Sequence, residues 1–239
     1  GRFDGERFAY HSINAAGTFA FLGSVLGGPS SPTYSLFYGG LDGSPIGKVI
    51  NTQEAIAFGG SAGDRVDGAP SRLNRLGQIA IPVSQPDHTS VLMGYDGRSL
   101  FSIAGPGDPA PGGDTFATVF TGSLFTGQPI PPVLDDGGGV LFGAQTAGGD
   151  SALFSAGVTP GGGGAPARVL GLGDEVQGGI LSPTFELQAL DREASGRLAF
   201  QSIYSIDYYF ADFLRDQGPA GRIAAPSDPV PDLGSVLWV

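Results

Sequence analysis

Ile13-Asn14-Ala15-Ala16-Gly17-Thr18-Phe19-Ala20-Phe21 returns as Leu73-Asn74-Arg75-Leu76-Gly77-Gln78-Ile79-Ala80-Ile81 and as Leu134-Asp135-Asp136-Gly137-Gly138-Gly139-Val140-Leu141-Phe142. A looser fourth copy ends Gly196-Arg197-Leu198-Ala199-Phe200, with Asp191 or Glu193 in the place of the asparagine. The closing apolar residues 21, 81, 142 and 200 are spaced 60, 61 and 58 apart. A partial copy from Asn51 to Phe58 breaks the period and carries Glu54 where glycine is expected. The chain has three asparagines, Asn14, Asn51 and Asn74, and each opens a copy.

The unit has a mechanical reading. An asparagine or aspartate bonds backbone two residues on and starts a turn. A glycine three residues later supplies the positive φ that ends a tight loop. The turn residues are therefore Asn14 and Gly17, Asn74 and Gly77, Asp135 and Gly138, and Gly196. Flanking residues such as Ser12-Ile13 and Thr18-Phe19-Ala20-Phe21 favour strands, so each copy is expected to be a β-hairpin. Ala20, Ala80 and Ala199 beside larger residues point to crowded faces where neighbouring sheets approach.

A third strand is expected after each hairpin at 34–37, 90–93, 152–154 and 208–210. Fourth strands follow at 47–50, 99–103, 168–170 and 222–224, after turns such as Tyr95-Asp96-Gly97-Arg98. Gly63-Asp64, Gly107-Asp108 and Gly173-Asp174 then form recurring loops, with Ser227-Asp228-Pro229 a degenerate fourth. Four short strands over roughly 45–65 residues is how a propeller blade is organised. The expectation is an all-β, β-propeller-like domain of about four blades over residues 1–239, in units near 1–62, 63–106, 107–172 and 173–239. Leu187 to Ala194 is the single weak helix candidate.

Composition limits the function classes. Glycine (42) and proline (19) are abundant, but Leu, Ile, Val and Phe make up about a quarter of the 239 residues, above the disordered range. The net charge of −11 opposes binding to nucleic acid or anionic lipid. No apolar run reaches the roughly 18 residues a membrane helix needs. The absence of cysteine excludes disulfides, thiolate metal sites and cysteine nucleophiles. No cysteine, one methionine and no basic-plus-apolar leader suit a mature, exported chain in an oxidising place.

The repeats resemble those of bacterial tandem-repeat surface proteins with an NxxGxxAF motif and varied C-terminal anchors. Asn14-Gly17-Ala20-Phe21 matches that motif in full, and Asn74-Gly77-Ala80 matches with Ile81 in place of phenylalanine. The Gly107-Asp108-Pro109-Ala110-Pro111-Gly112 run resembles the family's inter-strand loop, whereas the third and fourth copies depart at the asparagine. The resemblance implies export and a cell-surface location, and brings no catalytic residues.

Two arrangements of the ends stand. Arg7-Phe8-Ala9-Tyr10 and Ser235-Val236-Leu237-Trp238-Val239 read as strands without a partner in their own unit. They complete one blade together in a closed ring, or the terminal strand pairs with another copy. Other candidates carry ordinary alternatives. Gly59-Gly60-Ser61-Ala62-Gly63 fits G-x-S-x-G but lacks the helix a nucleophile elbow requires. His11 and His88 have no zinc spacing, and Gly161 to Gly164 lacks the Lys and helix of a phosphate cradle.

Asp64, Asp108, Asp174 and Asp228 are candidates for turn caps, for calcium ligands ringing one face, or for an acidic pair in glycoside chemistry. Phe116, Phe120 and Phe125, in the long insertion from Thr115 to Pro132, and Trp238 are candidates for ligand or partner contact, or for strand packing. The function expected is a non-enzymatic, exported structural or adhesive repeat protein that self-assembles. The alternative is a propeller that binds or cleaves carbohydrate on a loop face, with a surface glycan or protein as partner.

Overall fold

Asn14 opens a turn whose Gly17 takes φ +78°, and the chain reverses from Tyr10–Ile13 into Thr18–Leu26. The same geometry recurs at Gly77 (φ +77°) and Gly138 (φ +85°), the two other motif glycines that are described. In this computed structural model the described residues are 2–3, 10–26, 34–50, 65–66, 69–85, 90–119, 131–159, 166–176, 179–181, 187–192, 198–204, 209–215, 221–224, 229–230 and 234–235. They contain no α-helix.

Four antiparallel sheets follow in chain order. The first pairs Tyr10–Ile13, Thr18–Leu26, Tyr34–Gly40 and Gly47–Ile50, with Arg2–Phe3 on the far end of the long strand. The second pairs Arg65–Val66, Ile79–Ser84, Ser90–Tyr95 and Leu100–Ala104. The third pairs Phe116–Val119 and Val133–Leu134 with Gly139–Thr146, then Ser151–Gly157 and Ala167–Gly171. The fourth pairs Leu187–Arg192, Leu198–Tyr204, Tyr209–Arg215 and Gly221–Ala224. Two short pairs, Glu175–Val176 with Gly179–Ile180 and Pro229–Val230 with Gly234–Ser235, complete the described strands.

A bulge shows that the four sheets are one unit repeated. In the first sheet Leu36 faces Ile50 but Phe37 faces Lys48, so Val49 is the extra residue of the fourth strand. The same slip leaves Ile103, Val169 and Ile223 as the extra residues of the other three fourth strands. Each is β-branched, which suits an extended backbone at a place where a bulge bends the strand and raises its twist. Four such sheets, each packed on the next, make the chain all-β and propeller-like.

Alternation along the strands assigns the faces. Ala20, Leu22, Leu36 and Ile50 of the first sheet meet Ile79, Ile81, Val83 and Tyr95 of the second. Ala80 and Leu92 turn the other way, into a core with Phe116, Phe142 and Phe154 of the third. The middle strand Ile79–Ser84 is buried at every position, because both faces of its sheet are covered. The small side chains of Ala20 and Ala80, 1% and 0% exposed, let these faces approach, as the sequence pattern suggests.

Two expectations change. Leu187 to Ala194 is no helix: its described part is the strand Leu187–Arg192, paired with Leu198–Tyr204 and packed on the third sheet. The local leucine spacing is overridden by sheet pairing. Tyr10 also has a partner inside its own unit, since Tyr10–Ile13 is the first strand of the first sheet.

Candidate functional site

The motif turns lie along one edge of the sheets and bond to one another. Within each turn the side-chain oxygen accepts two backbone N–H groups. Asn14 Oδ1 takes those of Ala16 and Thr18, Asn74 Oδ1 those of Leu76 and Gln78, and Asp135 Oδ1 those of Gly137 and Gly139, all at 2.8–3.0 Å. The amide nitrogen does something else. Asn14 Nδ2 donates to the carbonyl of Asn74 at 2.9 Å, and Asn74 Nδ2 donates to the carbonyl of Asp135 at 3.1 Å. An aspartate has the same acceptor and no amide donor. The column of turns therefore runs 14, 74, 135, and at the third position the side chain can accept a bond but not donate one.

Other groups tie the same edge. Asn74 Nδ2 also meets Gln78 Oε1 at 2.8 Å, and Gln78 Nε2 donates to the carbonyl of Val158 at 2.7 Å. The backbone N–H of Arg75 donates to Asp136 Oδ1, and that of Leu73 donates to Ser12 Oγ. The hydroxyls of Tyr10 and Tyr38 donate to the carbonyls of Ser71 and Gly77. Burial pushes the Tyr10 hydroxyl up to about 12 and raises Tyr38 as well, so both remain donors well into alkali.

The sign of this effect gives a prediction. A phenol whose folded value lies above its unfolded value near 10 contributes stability that is complete below pH 10 and lost as pH rises towards 12. Urea unfolding from pH 9 to 12 is expected to show that loss, and Tyr10→Phe is expected to lessen it, the raised Tyr38 and Tyr95 hydroxyls supplying the remainder.

The opposite edge carries the Gly-Asp loops, which match bond for bond. Asp108 N bonds Gly105 O, Gly107 N bonds Phe116 O and Phe116 N bonds Asp108 O; Asp174, Gly171, Gly173 and Leu181 repeat the set, all at 2.8–3.1 Å. Asp174 Oδ2 also accepts the N–H of Gly171 at 2.8 Å, which is the turn-cap role. Arg168 lies between Asp174 at 2.8 Å and Asp150 at 2.7 Å, and these two carboxylates hold its guanidinium above its ordinary value. Asp114, close by, receives the N–H groups of Thr115 and Gly148, and its carboxyl lies below the ordinary range through bonds to Thr146, Thr115 and Gly148.

Asp174 is thus a turn cap and the partner of an arginine, and among the described residues no group of three or more His, Asp or Glu is placed to hold a metal ion. Asp64 and Asp228 lie outside the described residues, as do Gly196, Phe120, Phe125, Trp238, His88, Asn51, the G-x-S-x-G stretch and the run of four glycines. Of the two alternatives for Phe116, strand packing holds: it is 1% exposed and packs edge-on to Phe154 at 5.0 Å and tilted to Phe142 at 6.0 Å, so it is a core residue and not an exposed contact. Apolar burial, and the need to anchor the strand after the Gly-Asp loop, place it there. His11 is exposed on its strand.

No family model and no curated protein matches the chain. Three solved structures bear some likeness to it. The β-propeller domain of the Trilobed protease from Pyrococcus furiosus, described as having an open velcro topology, aligns at TM-score 0.46 and 10% identity over 91% of this chain and 72% of that one. A Hadza microbial sialidase aligns at 0.43 and 11% over 90% of this chain and 44% of its own. The Aleuria aurantia lectin AAL, in complex with Fucα1-6GlcNAc, aligns at 0.38 and 12% over 87% of this chain and 57% of its own.

The cross-blade amide, Gln78 and Asp136 are what sequence reading missed at this site. A signal existed: the position alternates Asn, Asn, Asp while its turn geometry stays constant, so the amide had a separate task in the first two copies. Among the described residues no helix is long and apolar enough to cross a membrane.

Proposed function

We propose that this chain is a non-catalytic, exported structural or adhesive repeat protein of the cell surface that associates with itself. The observation that carries this reading is the Asn14–Asn74–Asp135 column. The amide groups of Asn14 and Asn74 hold one blade on the next, while the side-chain oxygens of all three residues shape their own turns. A repeat whose recurring residues shape the turns and join one turn to the next fits a scaffold that must keep its shape outside the cell. The absence of cysteine in the sequence suits the same location.

A second reading rests on the edge bearing Arg168. Asp108, Asp114, Asp150 and Asp174 bring carboxylates to that edge, and carboxylates and an arginine are groups that bind or cleave sugars. One experiment separates the two. The protein, displayed on a non-adherent bacterium, is expected to promote clumping or surface attachment. The purified protein is expected to retain no glycan from an oligosaccharide panel and to release no sugar. Saturable glycan binding or hydrolysis that disappears in Asp108→Asn or Asp174→Asn would establish the second reading instead.

A further inference from the structure

The pairing register puts one residue of every fourth strand at the same place, just before the bulge. Lys48 faces Phe37, Ser102 faces Met93, Arg168 faces Phe154 and Arg222 faces Phe213. Six residues on from each stand Glu54, Asp108, Asp174 and Asp228. Three blades thus carry a base and then an acid at this spacing, whereas the second carries Ser102 before Asp108. Counted from the bulge, Glu54 and not Asp64 is the first blade's member of the Gly-Asp series.

The third blade shows what the spacing does. Arg168 donates from Nη1 and Nη2 to Asp174 Oδ2 and Oδ1 at 2.8 and 3.0 Å. It also donates from Nε and Nη2 to Asp150 Oδ2 and Oδ1 at 2.7 and 3.3 Å. A planar guanidinium that meets a carboxylate by two bonds is held more strongly and more directionally than a point charge. The three residues sit on separate pieces of the blade. Asp150 lies just before the third strand, Arg168 on the fourth, and Asp174 in the loop that leaves it. The loop that leaves the second blade has the same backbone bonds, Asp108 N to Gly105 O and Phe116 N to Asp108 O. Ser102, exposed on its strand, has no charge to offer its acid.

We infer that an arginine–aspartate clasp, fastening the last strand of a blade to the loop that leaves it, is a built-in element of this repeat, and that the second blade lacks it because Ser102 stands in the arginine's place. The clasp explains why base and acid recur together. It makes the recurring acid, which the sequence offers as turn cap, calcium ligand or half of an acidic pair, the partner of a recurring base. It also predicts that the second blade can be clasped by one substitution, since its loop already has the required backbone.

Thermal unfolding of the whole chain tests the inference. Ser102→Arg is expected to raise the melting temperature by about 2 °C, a modest gain because Arg168 and Asp174 are themselves about a third exposed. Ala117→Arg, at an exposed position of the third sheet, adds the same charge to this acidic chain and is expected to give less than half of that gain. Ser102→Arg combined with Asp108→Asn is expected to lose the gain. Arg168→Ser is expected to lower the melting temperature by about 3 °C, since Asp150 and Asp174 then face each other without the base between them. In roughly 1 M salt both shifts are expected to shrink by at least half. A Ser102→Arg chain no more stable than Ala117→Arg, or one that keeps its gain without Asp108, overturns the inference for the second blade. An Arg168→Ser chain that melts with wild type overturns it for the repeat.

Discussion

Replacing Asn74 with leucine is expected to destabilise the fold by about 3–5 kcal/mol, the largest effect of any polar position among the described residues. Asn74 is 3% exposed and engages four partners. Its oxygen accepts from Leu76 N and Gln78 N, and its amide donates to Gln78 Oε1 and to the carbonyl of Asp135. Leucine matches the volume and offers none of these, so backbone donors at the turn lose their acceptor. The added apolar area does not offset them, since the side chain was already buried. The measurement is the midpoint and slope of urea unfolding followed by tryptophan fluorescence and circular dichroism. An unchanged slope with a lower midpoint is the expected signature.

Gly77→Val is expected to cost about as much for a different reason. Gly77 takes φ +77°, where a β-branched residue is a genuine outlier and a left-handed backbone costs about 1–2 kcal/mol. A Cβ there would also sit 2.7 Å from the Tyr38 hydroxyl, which is itself fixed by its bond to Gly77 O, and overpacking of that kind costs about 1–3 kcal/mol. The two together correspond to a fall in melting temperature of about 10 °C for a chain of this size. Gly43 is the internal control. It has φ +87° and nothing within 4 Å of its would-be Cβ, so Gly43→Ala is expected to show the backbone cost alone.

Local chemistry was legible in the sequence. The third and fourth strands were expected at 34–37 and 47–50, 90–93 and 99–103, 152–154 and 168–170, and 208–210 and 222–224, and a described strand overlaps each of these places, with Tyr208 itself outside the described residues. Alternation and turn residues act within a few positions, so a single stretch carries the whole signal. The described motif glycines likewise take the positive φ that the turn requires. Long-range chemistry was not legible. Nothing near Asn14 announces that its amide meets a carbonyl 60 residues on. Phe116 sits among threonines and glycines that suggest a loop, and only the neighbouring Phe142 and Phe154 make it core. Leu187 and Leu190 have helical spacing, but the backbone of Leu187–Arg192 pairs with the strand Leu198–Tyr204. The recurring bulge at Val49, Ile103, Val169 and Ile223 left a trace, a β-branched residue in each fourth strand, which becomes meaningful once the pairing is known.

The central claim is that the motif asparagine holds the next blade as well as its own turn. Asn14→Asp isolates the two tasks, because aspartate keeps the acceptor for Ala16 N and Thr18 N and loses only the donor to the carbonyl of Asn74. Urea unfolding of Asn14→Asp beside wild type at pH 7 is the direct measurement. A loss of about 1–2 kcal/mol, from the broken bond and the carboxylate now facing a carbonyl oxygen, is the result predicted. Stability equal to wild type would show that the residue serves its own turn alone, and the column would not be what joins the blades.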